Sequence, residues 1–320
     1  MDIKKVLLLG GSGFVGTYIA NRLSQRGVEV TIPTRRRERT KALIMQPNVE
    51  MPEISINSEE ALVSLMQGQD AVISLVGILH SRDVVLPYSK DFAEAHVELP
   101  KKIVAACKKA GVRRLIHMSA LGADPKGPSE YLRSKGDGEA VVMGARGDLD
   151  VTVFRPSVIF GLGDSFLSMF AGVLRKLPFF PLGFGHARFQ PVWVADVADA
   201  FVDSLGDART FGQAYDLAGP TVYTLRELVD YTAQLVGSKA RVIPLSEGWA
   251  YLQAGLMWLA PQPLMSPDNL RSMETDNVCG NGCNPLPGWQ PTALEAIAPT
   301  YIAHNTPKGK LDRFRFHAGR

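Results

Sequence analysis

Along the first half of the chain, short and wholly apolar runs alternate with amphipathic stretches. Residues 6 to 9 form an unbroken apolar run that ends in glycines, the pattern of a strand covered on both faces. From residue 14 to 26, Val15, Ile19, Ala20 and Leu23 recur at helical spacing, and Gly27 stops the helix. Residues 28 to 32, 70 to 76, 114 to 118 and 151 to 154 read as further strands, with helices over 99 to 110 and from about 131 to 143. Such alternation predicts an α/β protein with a parallel, doubly wound sheet of Rossmann type.

After Arg155-Pro156 the periodicity loosens. Residues 161 to 190, rich in Gly, Pro and Phe, read as a loop-rich substrate or partner region. Residues 191 to 194 return briefly to strand, helices are expected over 225 to 236 and 249 to 259, and a short strand over 241 to 243. The expected organisation is a dinucleotide-binding domain over 1–160, a smaller lobe over 161–305 interleaved with the last sheet strands, and a basic tail over 306–320. That tail carries Lys308, Lys310, Arg313, Arg315 and Arg320 against one acid, Asp312. The helix at 249 to 259 is apolar almost all round and reads as core. Its alternative is an interfacial element with Trp249 and Trp258 at a lipid boundary, helped by the basic tail.

Composition narrows the class without choosing a function. The 320 residues are 46% apolar and 21% charged, ordinary values for a folded domain, and the net charge of +3 gives no support for nucleic acid as a partner. No apolar run approaches the roughly 18 residues of a membrane span, and no signal peptide is recognisable. The expected location is cytoplasmic, or peripheral on the inner face of the cytoplasmic membrane. Cys107, Cys279 and Cys283 are no disulfide framework and no zinc site, and are read as reduced thiols. No metal is expected.

Candidate chemistry begins at L-L-L-G-G-S-G-F-V-G. Gly10, Gly13 and Gly16 follow a strand and open a helix, the setting in which such glycines admit a pyrophosphate. The helix start at Phe14 and Val15 offers free N–H groups and a partial positive charge to the phosphates. A site for NAD usually places an acid at the end of the second strand, yet residues 31 to 37 contain none. Arg35, Arg36 and Arg37 stand there instead, suited to a 2′-phosphate. NADP(H) is therefore favoured, with NAD(H) as the alternative. Tyr131 and Lys135 lie one helical turn apart and can face one ligand, the phenol as acid or base and the ammonium on the nicotinamide ribose.

At these residues the chain resembles the extended and atypical short-chain dehydrogenase/reductases. More narrowly, V-I-S-L-V-G-I-L, L-I-H-M-S-A-L-G-A, Y-L-R-S-K-G-D-G-E and R-P-S-V-I-F-G-L-G-D-S-F-L-S-M-F resemble the nucleotide-binding accessory subunit of respiratory complex I and its bacterial relatives. The resemblance spans roughly residues 3 to 300. It implies an NADPH-binding fold of the epimerase/dehydratase type, linked to a membrane-associated respiratory complex or a quinone-linked enzyme. It also implies that Leu75, Val76, Gly77, Ser119, Lys135, Pro156 and Ser157 line the nucleotide, with Tyr131, Lys135 and Ser119 as the catalytic candidates.

Departures from the family pattern bear on turnover. Where catalytic members carry a run of hydroxyl residues, this chain has Met118-Ser119-Ala120, so Ala120 stands where a hydroxyl is expected and Ser119 is the nearby substitute. Ser55-Ile56 replaces an acid and an apolar residue near the adenine. His96 takes the place of a frequent asparagine and is read as structural. Asp196 is read as a helix-capping residue. A carrier whose nucleotide is structural or turns over slowly is expected ahead of an active epimerase, dehydratase or reductase on a nucleotide-sugar, isoprenoid or quinone-like substrate. An NADPH-dependent redox sensor fits the same residues.

Overall fold

The apolar runs form the strands they predict. In a computed structural model, which describes residues 2–35, 41–81, 85–259 and 265–303, seven parallel strands make one sheet. They are β1 (Lys5–Leu9), β2 (Glu29–Thr31), β3 (Val49–Glu50), β4 (Ala71–Ser74), β5 (Arg114–Met118), β6 (Asp150–Pro156) and β7 (Gln213–Leu217). Their order is β7-β6-β5-β4-β1-β2-β3, so the winding reverses between β1 and β4, where a doubly wound sheet opens its ligand crevice. Register is set by apolar pairs such as Leu7 with Val72 and Val72 with Leu115. The Rossmann-type expectation holds.

Helices cover both faces of the sheet unit: α1 (Phe14–Gln25), α2 (Glu59–Met66), α3 (Leu99–Ala110), α4 (Glu130–Gly144) and α5 (Val194–Asp203). Each begins for a local reason. Ser58 and Ser129 cap α2 and α4 through their side chains, Pro100 sits in the first turn of α3, and Asp196 lies in the first turn of α5. One core cluster joins Leu7, Leu9, Leu62, Val72, Ile103, Leu115 and Val151 from strands and helices alike.

The chain divides into two compact units, one of residues 1–156, 195–217 and 281–287, the other of 157–194, 218–280 and 288–320. The second has its own core, centred on Phe160, Phe170, Phe180, Leu228 and Val229. Three expectations are corrected. Residues 161 to 190 are not simply loop: they contain the helix Leu167–Leu174 and the strands Phe179–Leu182 and Arg188–Phe189. Their glycines and prolines sit between elements, while Leu167, Phe170, Ala171 and Leu174 repeat at helical spacing and are buried. The helix Glu247–Trp258 is not core: it buries only Ala250 and Ala254, leaving Trp249 at 65%, Leu256 at 64% and Leu259 at 76% exposed. Small residues face inward, so composition overstated its burial. Finally, Cys279 and Cys283 are joined in a disulfide across the tight Gly280-Asn281-Gly282 turn, and only Cys107 is a free thiol.

A buried arginine ties the sheet unit together. Arg114 on β5 is fully buried and donates to the carbonyls of Asp150, Ser204 and Leu205 and to Thr152 and Thr210 hydroxyls, with Phe211 against its guanidinium. Burial lowers its pKa to about 10, the Asp150 carboxylate opposing. Arg114→Met should cost about 3–5 kcal/mol in chemical denaturation, because it strands buried carbonyls without donors. A loss below about 1 kcal/mol would mean that these bonds carry little.

Candidate functional site

At the reversal of the winding, the glycine loop meets the end of β4. Gly10 has φ +82, which an L side chain rarely adopts, and a Cβ there would lie 3.2 Å from the Val76 nitrogen. A Cβ on Gly16 would stand 2.5 Å from the Gly10 carbonyl oxygen and the Gly11 Cα, so only glycine lets α1 start this close to the loop. Gly13 is the N-cap of α1 and brings no capping side chain, and the first turn has no acid. The N–H groups at Phe14 and Val15 are thus left for an external acceptor, and the dipole makes that acceptor an anion. This glycine cradle fits a dinucleotide pyrophosphate. Leu75, Val76 and Gly77 follow β4 beside it, with Leu75 bonded through its N–H to the Leu9 carbonyl at 2.9 Å.

Past β2, Thr34 is buried and its N–H donates to the Pro52 carbonyl at 3.1 Å, while Arg35 is exposed. Arg36 and Arg37 lie outside the described residues. No acid occurs from Thr31 to Arg35, but the exposed Glu53 follows Pro52 on the neighbouring segment. Sequence spacing passed over Glu53 because it belongs to another strand connection.

On the other side of the cradle, α4 presents Tyr131 and Lys135. Its placement depends on two glycines. A Cβ on Gly136 would meet the backbone of Asp124 and Pro125, and one on Gly138 would run into the His96 carbonyl. His96 lies in a π-helical turn, Glu94–Glu98, which widens the helix and turns its ring toward α4. Its Nε2 accepts from the Ile78 N–H at 3.0 Å, which fixes the hydrogen on Nδ1, and Nδ1 donates to Ser134 Oγ at 2.8 Å. Ser134 in turn donates to the Tyr131 carbonyl at 2.9 Å. His96 is therefore neutral and joins the loop after β4 to α4, and burial beside the Lys135 charge holds its pKa well below the usual histidine value. The structural reading of His96 fits these bonds.

Lys135 is buried and donates to the Met118 carbonyl at 2.7 Å, at the end of β5. Burial lowers its pKa to about 8, with Glu139 opposing, and burial also raises the Tyr131 phenol to about 12. Tyr131 packs edge-on against His96, with ring centroids 5.6 Å apart. Ser119 follows β5 directly and donates its N–H to the Phe154 carbonyl at 2.7 Å. Its Oγ is buried and has no partner among the described residues, and Ala120 is buried beside it. Pro156 ends β6 and accepts from the Leu121 N–H at 2.9 Å. Ser157 comes next but counts with the second unit, where its Oγ donates to Asn277 Oδ1 at 2.6 Å.

Two features escaped the reading of sequence. His117 on β5 is buried next to Lys135, is held neutral by burial and that charge, and has an Nδ1 without a partner among the described residues. Arg155 pairs with Glu139 of α4 and stands 3.7 Å from Asp216 of β7, bracing α4 from beneath. The Arg-Pro-Ser and Lys-Gly-Asp-Gly-Glu strings carried both residues of that pair, without saying that they meet.

The site and fold together define a dinucleotide-binding protein of Rossmann type. Residues 10–161 match the NAD(P)H-binding family model. Over 301 residues the chain is 32% identical to the mouse (Mus musculus) mitochondrial NADH dehydrogenase [ubiquinone] 1 alpha subcomplex subunit 9, covering 90% of this chain and 77% of that one. It is 26% identical to a (4-alkanoyl-5-oxo-2,5-dihydrofuran-3-yl)methyl phosphate reductase of Streptomyces griseus, covering 92% of this chain and 99% of the other. Among solved structures, the dTDP-glucose 4,6-dehydratase DesIV of Streptomyces venezuelae superposes with TM-score 0.67 at 20% identity, over 76% of this chain and 85% of that one. The chain belongs to the family of the alpha subcomplex subunit 9 of NADH dehydrogenase, and it is an NAD(P)H-binding, oxidoreductase-like protein.

Two measurements follow from the geometry. Gly138→Ala should destabilise the chain by about 1–3 kcal/mol in thermal unfolding through overpacking, whereas Gly144→Ala, whose Cβ would meet nothing within 4 Å, should be neutral or stabilising. Equal effects would refute the close approach. Lys135 has a folded pKa of about 8, below its unfolded value, so the unfolded chain binds more protons between those two values. The nucleotide-free protein should therefore gain stability as pH rises from about 8 to 10, at no more than about 1.4 kcal/mol per pH unit. Lys135→Met should remove that gain; an identical pH slope in the variant would place the lysine charge in water.

Proposed function

We propose that the chain holds NADPH as a tightly bound group and turns it over slowly or not at all, as a peripheral partner of a membrane-associated, quinone-linked respiratory assembly. The observation that carries the reading is the pairing of a complete glycine cradle with Met118-Ser119-Ala120, which leaves one hydroxyl where catalytic relatives have several. In this reading Gly10, Gly13, Phe14, Val15 and Gly16 hold the pyrophosphate. Arg35, with Arg36, receives the 2′-phosphate. Leu75, Val76, Gly77, Pro156 and Ser157 line the nicotinamide half, and Lys135 and Tyr131 bind its ribose. The nucleotide, when bound, supplies a hydride donor. The residues around it orient it and exclude water, and a phenol raised to about 12 is a poor base near neutral pH.

The partner assignment draws on the mouse relative, whose name places it in NADH dehydrogenase, and the proposed location is the inner face of the cytoplasmic membrane. A second reading has a specific observation behind it. Ser119 Oγ, buried without a partner among the described residues, suits donation to a substrate carbonyl, and the Streptomyces relative is named as a reductase. On that reading Tyr131, Lys135 and Ser119 reduce a quinone-like, isoprenoid or nucleotide-sugar substrate.

Calorimetric titration separates the cofactor assignments. NADPH should bind at least about tenfold tighter than NADH, and Arg35→Ala should erase most of that difference. Equal affinities, unchanged in the variant, would end the NADP assignment. Tyr131→Phe should keep nucleotide retention while leaving any slow oxidation of NADPH by quinones unaltered. A loss of turnover by two or more orders of magnitude would favour the reductase reading.

A further inference from the structure

The second unit carries a face that its own core does not explain. The strands Phe179–Leu182 and Arg241–Pro244 pair in parallel, Arg241 beside Phe179 and Ile243 beside Pro181. Phe180 and Leu182 point into the core, so the alternate residues Phe179, Arg241 and Ile243 point outward and are exposed. Arg175, Lys176 and Leu177 lead into this ribbon and Lys239 precedes its second strand, all four exposed. None of Arg175, Lys176, Lys239 and Arg241 has a carboxylate within 4 Å among the described residues. Residues 165–187 and 237–246 contain no acid at all.

The helix Glu247–Trp258 begins two residues after the ribbon and packs on its end, Ala250 against Gly183 and Tyr251 edge-on to Phe184 at 6.0 Å. Counting about 100° per residue, Trp249, Leu252, Leu256 and Leu259 fall within about 80° of one another on its outer side. All four are exposed. The acids nearest in the chain turn away: Glu247 falls on the opposite side, Asp268 is buried and stands 3.9 Å from Arg271, and Glu274 is engaged by the Tyr251 hydroxyl at 3.0 Å, about a third of a turn off.

We infer that this ribbon and helix form a docking surface for an anionic lipid bilayer, with Trp249, Leu252, Leu256 and Leu259 entering the interface and Arg175, Lys176, Lys239 and Arg241 meeting lipid phosphates. Charge complementarity selects this occupant. Four cations with no carboxylate partner among the described residues, Arg175 also donating to the Ile302 carbonyl at 2.7 Å, stand beside a row of large apolar side chains and match a phosphate-covered apolar phase, and no helix in the described residues is long and apolar enough to cross one. A helix of 12 residues lies in the interface rather than through it. The inference deepens the peripheral location proposed above and is independent of what the nucleotide site does.

Flotation of the full chain with vesicles tests it. The protein should float with phosphatidylglycerol-containing vesicles at low salt, stay behind with pure phosphatidylcholine, and show a blue-shifted tryptophan emission on binding. Lys176→Glu with Arg241→Glu should lower the partition by at least about twentyfold, the loss of each cation near an anionic surface alone being worth about fivefold. Leu252→Ser with Leu256→Ser should abolish the emission shift, and both variants should keep the parental NADPH affinity. Equal flotation with both lipids, or no effect of the charge reversals, would overturn the inference. So would a concentration-dependent dimer in light scattering that Leu256→Ser dissolves, since a second copy would then cover the face. Loss of NADPH binding in the parent chain would instead count against the nucleotide reading alone.

Discussion

The close approach of α4 to the π-helical turn at Glu94–Glu98 governs the geometry of the whole site. Gly138 lets the helix backbone lie against the His96 carbonyl, and His96 then spans from the Ile78 N–H to Ser134. With α4 fixed this way, Lys135 reaches the Met118 carbonyl at the end of β5 and Tyr131 stands over the π-helical turn. The same bonds hold the loop after β4 against Gly10, so the two halves of the nucleotide crevice are set by one helix position.

That arrangement concentrates basic groups in a dry place. His96, His117 and Lys135 share a buried region in which each is pushed toward its neutral form by burial, and the lysine charge acts on both histidines. Such a cluster is costly alone and becomes favourable when electron-rich ligand atoms meet it. His117 near the end of β5 and Ser119 just after it each carry a buried atom, Nδ1 and Oγ, without a partner among the described residues. On the carrier reading proposed above, these atoms serve to hold the nucleotide, and a phenol with a raised pKa adds little driving force for proton transfer.

What could be read in the sequence follows from how local the cause was. The helices Leu99–Ala110 and Leu225–Val236 and the strand Arg114–Met118 were legible to the residue, because apolar period and a following glycine or charged turn fix them locally. The glycine loop was legible for the same reason. The strand Gln213–Leu217 was missed, since Asp216 within it pairs with Arg155 across the sheet and breaks the apolar run. The helix Glu247–Trp258 misled for the opposite reason: apolar residues all round announce a core only when large ones face inward, and here alanines do. His117 and Glu139 gained their importance from neighbours distant in the chain. Glu53 reaches the end of β2 only through the backbone pairing of Thr34 with Pro52.

The most direct measurement is the identity and amount of nucleotide released when the freshly purified, untreated protein is denatured, read by mass and by fluorescence. The account predicts NADPH or NADP⁺ at close to one per chain, surviving gel filtration. Release of NAD(H), or a chain that purifies empty and takes up NADPH only weakly, would contradict it.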